Sequence, residues 1–171
     1  MNKPFVILCL CLIVSCNPFN EPSFEIDLPE GYQIENSDDK YNLLTASKYI
    51  DDEIVGMIEI RYSDDWSFSE LSNDEYISEM IETDRFKETS SMMFDNLNIQ
   101  SKERSYLLGV GDCLSIIYSG DYHTNGVRVT NLVVQFIKKG KLFTLLGSSF
   151  PETFSSNHKT FLKSFDTAKY E

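Results

Sequence analysis

Between residues 99 and 148 the chain carries four runs of alternating residues, at about 99–107, 112–122, 127–138 and 141–148, separated only by short turn sequences. The turns are Gly109-Val110-Gly111, Asn125-Gly126 and Lys139-Gly140. Parallel strands need a crossover of about a dozen residues or more, so these connections force antiparallel neighbours. Asn125-Gly126 is the favoured pair for a type I′ hairpin. Leu114, Ile116 and Tyr118 alternate with Cys113, Ser115, Ile117 and Ser119, and Leu132, Val134 and Phe136 alternate with Val133, Gln135 and Ile137. One face is strongly apolar and the other mixed, so a four-strand meander anchors the fold.

The remaining segments add to that sheet. Residues 24–28 alternate in the manner of a half-buried strand, stopped by Pro29-Glu30-Gly31 and extended by Tyr32 and Ile34; 41–47 is a weaker strand and 53–63 a clear one. Asn73-Asp74-Glu75 opens a helix predicted over about 74–86, with Tyr76, Ile77, Met80 and Ile81 on one face. A short helical turn is expected around 90–96, with Met92, Met93 and Leu97 facing inward. Pro151 starts a closing helix in which Phe154, His158, Phe161, Leu162 and Phe165 fall on one side. The sum is an α+β sandwich: an antiparallel sheet of about six to seven strands, including the C-terminal four-strand meander, packed against two or three helices, in a single domain over 24–171.

The N-terminus has another character. Met1-Asn2-Lys3 supplies one positive charge and residues 5–14 are all apolar, a run reaching about 15 Å as a helix at ~1.5 Å per residue, half of a ~30 Å hydrocarbon layer. It reads as an export signal. It ends in Ile13-Val14-Ser15-Cys16, which resembles the lipobox of bacterial lipoprotein precursors at all four positions. The resemblance implies that residues 1–15 are removed and that acyl chains on Cys16 anchor the protein in the bilayer; the alternative is an ordinary signal peptide cut after Ser15. Residues 16–23, with two prolines, form the expected lipidated tether. Loss of the signal removes Cys9 and Cys11 and lipidation occupies Cys16, so Cys113 is the one free thiol, read as a core residue.

Of 171 residues, 15 are Lys or Arg and 27 Asp or Glu, and removing Lys3 with the signal leaves 14 against 27, or −13. No basic tract offers counterion release, so nucleic acid is the least fitting partner. The same charge repels anionic head groups, and the body is expected to stand off the membrane.

The opening Phe24-Glu25-Ile26-Asp27-Leu28-Pro29-Glu30-Gly31-Tyr32, the meander, and the closing helix ending in Lys163-Ser164-Phe165 together resemble the PsbP-like fold family. That resemblance covers about 24–168 and implies a scaffold whose members mostly bind proteins or assemble complexes. No family binding residue can be placed on a position here.

No nucleophile motif, metal-helix motif or phosphate loop is present, and His123 and His158 are the only candidate bases. His158 is expected at the core edge and His123 in solvent. Asp38-Asp39, Asp51-Asp52 and Asp64-Asp65 lack calcium-loop spacing. No cofactor is expected. Trp66, Phe68, Tyr118 and Tyr122 form the candidate interaction surface, with burial of Trp66 over the sheet edge as the alternative. The sequence reading is therefore a lipid-anchored lipoprotein of the bacterial cell envelope, acting as a non-catalytic binding or assembly module for an envelope protein partner. A small-ligand carrier with a cleft between sheet and helices, or a hydrolase without a recognisable motif, are the alternatives. An apolar cavity with few convergent polar groups is the mark of the carrier.

Overall fold

The computed structural model describes residues 22–170. The elements in chain order are β1 (Phe24–Glu25), β2 (Tyr32–Glu35), β3 (Asn42–Ile50), β4 (Glu53–Ser63), a 3₁₀ turn at Trp66–Phe68, α1 (Asn73–Glu82), α2 (Arg85–Ser90), β5 (Phe94–Leu107), β6 (Gly111–Tyr122), β7 (Arg128–Lys138), β8 (Lys141–Ser149), α3 (Pro151–Phe165) and β9 (Lys169–Tyr170). Seven strands form one antiparallel sheet in the order β2-β3-β4-β8-β7-β6-β5, and β1 pairs with β9 apart from it. The α+β class and the meander are as the sequence predicts; the segment 24–28 is not one strand extended through Ile34, because the turn at Gly31 (φ +85°) separates two strands with different partners.

Turn chemistry sets the hairpins. Asp51-Asp52 and Lys139-Gly140 both hold two consecutive positive φ values between directly paired residues, the geometry that matches strand twist. Asn125-Gly126, predicted as such a turn, is instead the end of a four-residue loop. The Tyr122 carbonyl accepts both Asn125 N–H and Gly126 N–H, and only Gly126 of the pair has positive φ.

Each face of the sheet has its own core. On one face α3 presses Phe154, Phe161 and Phe165 onto Ile58, Leu132 and Leu145, with Cys113 fully buried beside them. His158 sits half-buried at the edge, its ring 5.4 Å from Phe154. On the other face α1 and α2 bring Tyr76, Ile77 and Phe86 against Leu114, Ile116 and Tyr118. α1 is started by a capping box between Ser72 and Glu75. The single helix predicted over 74–86 is two. Thr83 turns extended (φ −111°, ψ 165°), its hydroxyl donates back to the Glu79 carbonyl, and Lys102 Nζ donates to the Thr83 carbonyl, so the chain leaves the helix before Arg85.

The helical turn expected at 90–96 is also corrected. Residues 91–93 make a tight turn that leaves Met92 73% and Met93 57% exposed, and β5 begins at Phe94, whose ring takes the inward place with its centroid 4.5 Å from Tyr122 and 5.5 Å from Tyr118. A large flat ring fills that slot between two tyrosines more fully than a flexible Met. Among the described residues no helix is long and apolar enough to cross a membrane. Cys16 and the segments 1–15 and 16–21 lie outside the described residues.

Candidate functional site

Strand periodicity places Leu114, Ile116 and Tyr118 of β6, Val133 and Gln135 of β7, Leu142, Thr144 and Leu146 of β8, and Glu59 and Arg61 of β4 on one face. α1 packs on β5, β6 and β7, and α2 on β5. The helices therefore roof only one side of that face. Beneath them, open toward β8 and β4, lies a cavity of about 530 Å³. That volume is within the range of ligand pockets, roughly 300–1,000 Å³.

Its walls are mainly aromatic and aliphatic. Phe94 and Phe86 stack edgewise on Tyr118, with centroids 5.5 and 5.3 Å apart, and Phe68 meets Tyr76 edge-on at 6.3 Å. A few polar groups converge. The Tyr76 hydroxyl donates to Gln135 Oε1 at 2.7 Å, and Gln135 Nε2 donates to Thr144 Oγ1 at 3.2 Å. Arg61 reaches Glu59 at 3.3 Å and Asp39 at 2.6 Å, and Arg85 at the rim pairs with Glu79 at 2.7 Å.

Burial shapes the acid–base properties. The Glu59 carboxyl is pushed above the usual carboxylate range by loss of water, opposed by the Arg61 guanidinium. Burial raises the Tyr76, Tyr118 and Tyr122 hydroxyls, the last also through the nearby Glu59 charge, so all three stay protonated donors at neutral pH. Asn131, next to Tyr118 across the β6–β7 pair, is fully buried. Its carboxamide is near enough to ease ionisation of Tyr118, yet neither its nitrogen nor its oxygen completes a well-formed hydrogen bond.

Three of the four predicted interaction aromatics meet here, but as cavity walls. Tyr118 is only 5% exposed and does not present a surface, because its ring is enclosed by Phe86 and Phe94; Phe68 and Tyr122 are half-buried on the same cavity. Trp66 stands apart, 78% exposed, and covers no sheet edge. The sequence reading missed Glu59, Arg61, Tyr76 and Gln135 as a group. Their signal was weak but present: Glu59 and Arg61 are the charged positions in the otherwise apolar stretch 54–62, and Gln135 interrupts the run 132–137.

The other candidates sit elsewhere. Cys113 lies on the α3 side, its thiol pushed up to about 11 by burial. His123 is exposed at the β6–β7 loop, bonded to Asp95 Oδ2 at 2.9 Å and the Ser91 carbonyl at 3.1 Å. Of the acid pairs, Asp39 is held by Arg61, Asp51-Asp52 form a hairpin turn and Asp65 accepts the Ser67 N–H. Among the described residues no three His, Cys, Asp or Glu side chains gather as a metal site.

No protein-family model matches the chain, and no curated protein matches it in sequence. Solved structures do. Cyanobacterial PsbP (CyanoP) from Synechocystis superposes with a TM-score of 0.57 at 12% identity, over 88% of this chain and 92% of that one. LpqN of Mycobacterium tuberculosis, a protein involved in cell envelope biogenesis, gives 0.58 at 9% identity over 87% and 83%. A Pseudomonas aeruginosa protein of unknown function gives 0.55 at 10% identity over 88% and 85%. At such identities the likeness is one of architecture, and function belongs to sites and not to folds. The chain has a PsbP-like α+β fold.

Proposed function

We propose that this protein is a non-catalytic binding module of the bacterial cell envelope, anchored through acyl chains on Cys16, that holds a small and mostly apolar molecule between its sheet and helices α1 and α2. The observation that carries this reading is the cavity of about 530 Å³, with its aromatic walls and few convergent polar groups. A protein-docking role would call for a continuous exposed aromatic patch, and here Tyr118 is buried while Trp66 stands alone. The likeness to LpqN supports an envelope setting, and the lipobox-like Ile13-Val14-Ser15-Cys16 supports the anchor.

Native mass spectrometry of the full-length protein, purified from its membrane fraction, tests this. A co-purified small molecule is expected, and Val133→Trp, which fills the cavity from the sheet side, should displace it while far-UV circular dichroism stays unchanged. Absence of any bound mass, together with recurrent capture of one envelope protein by in-cell cross-linking, would replace the carrier by an assembly module.

A further inference from the structure

We propose that the cavity selects a ligand bearing an ammonium group, seated against Glu59 and the ring of Tyr122, with the apolar remainder lying under α1 and α2. This deepens the carrier reading and rests on it.

The charge arrangement on β4 carries the argument. Glu59 lines the cavity with its side chain only 17% exposed, and its one ionic partner among the described residues, Arg61, is at 3.3 Å while the other arm of that guanidinium is held by Asp39 at 2.6 Å. One cation thus serves two carboxylates, and the closer bond goes to the one away from the cavity. At the rim Arg85 is matched by Glu79 at 2.7 Å. Counted with these outer partners, Glu59, Asp39 and Glu79 exceed Arg61 and Arg85 by one negative charge, and Glu59 holds the longer of the two contacts to the guanidinium it shares with Asp39. A half-buried carboxylate that shares its single cation with a second carboxylate is costly, and a ligand cation that pairs with it relieves that cost.

The aromatic lining fits the same chemistry. The Phe94 ring packs on Tyr118 and Tyr122, with centroids 5.5 and 4.5 Å away, and the Glu59 charge is felt at the Tyr122 hydroxyl. Ring faces attract ammonium groups most strongly where water is excluded. An anionic ligand would have to compete with Asp39 and Glu79 for guanidinium groups already engaged. The rest of the wall, including Met80, Phe86, Val133 and Leu146, offers apolar contact only.

The test uses three probes of one shape: 4-phenylbutylammonium, 4-phenylbutanol and 4-phenylbutyrate, titrated calorimetrically into the full-length protein in lipid nanodiscs, with empty discs as the blank. The ammonium probe is expected to bind at least tenfold more tightly than the alcohol, and the carboxylate least. Glu59→Gln should remove that tenfold preference, while Glu59→Asp retains part of it. If the carboxylate probe binds best, or if Glu59→Gln does not alter the preference, the ammonium assignment is wrong although the cavity still binds. If none of the three binds, the carrier reading itself fails.

Discussion

The hydroxyl of Tyr76 donates a 2.7 Å hydrogen bond to the side-chain oxygen of Gln135, joining the middle of α1 to the centre of the sheet at the wall of the cavity. Further ties hold the start of α1: Asn73 accepts the Ile137 N–H at 2.8 Å and donates to the Asp112 carbonyl at 2.7 Å, and Asp74 accepts from Arg104 of β5 at 2.6 Å. The cavity roof is therefore fixed to β6 and β7 by specific polar contacts as well as by apolar packing.

Tyr76→Phe removes the hydroxyl and leaves the Gln135 oxygen without its donor in a partly buried place. A loss of about 1 kcal/mol is expected, in line with a net hydrogen-bond contribution. Tyr76→Ala also removes the ring from the core and should cost about 3–5 kcal/mol. Urea unfolding of the two variants checks both figures: an unchanged Tyr76→Phe would mean that the hydroxyl contributes nothing, and equal losses in the two would mean that the ring contributes nothing beyond it.

Gly147 on β8 faces α3 so closely that an added Cβ would stand 2.5 Å from Phe161 Cγ. Its backbone does not need positive φ, so Gly147→Ala acts through packing alone. Either α3 or the Phe161 ring must shift, at an expected cost of about 1–3 kcal/mol. Pairing it with Phe161→Leu should recover part of that loss, and thermal unfolding of the single and double variants measures the coupling.

How far the sequence could foretell this structure depends on the range of the interaction. The meander was legible because turns and alternation are local, and α3 because Phe154, Phe161 and Phe165 repeat at helical spacing. The strand pair Phe24 with Tyr170 joins the two ends of the described chain, and no periodicity encodes it. Tyr118 illustrates the limit for the site. Alternation put it on one face with Leu114 and Ile116, and it was expected on an interaction surface, but its burial depends on Phe86 and Phe94, which arrive from a helix and a strand whose bounds local propensity misplaced. Glu59 gained meaning only when α1 and α2 roofed its face.

His123 bridges Asp95 and the Ser91 carbonyl, holding the β6–β7 loop to the turn before β5. The Asp95 hydrogen bond, then the Ser91 carbonyl, raise its pKa above the ordinary value of 6.5. A group with a raised folded-state pKa stabilises the fold fully below its unfolded value, and that contribution fades as pH rises through the folded value. The melting temperature of the protein should therefore exceed that of His123→Gln most clearly below pH 6.5, and the gap should close on the alkaline side. A gap that widens with rising pH would show that the neutral ring, and not the imidazolium, makes the contact.

Thiol counting ties the buried core to the anchor. Cys113 is fully buried and its thiol is pushed up to about 11, so it should resist maleimide in the native protein and react only on unfolding. The chain has four cysteines, and the proposed processing removes Cys9 and Cys11 and acylates Cys16. Protein taken from the membrane fraction should then show no reactive thiol when folded and one in denaturant. Two in denaturant would mean cleavage without acylation, and four would mean that the signal segment is retained. Either of those counts removes the lipid anchor, whereas a total of one thiol that already reacts in the folded protein would place Cys113 outside the packed face beneath α3.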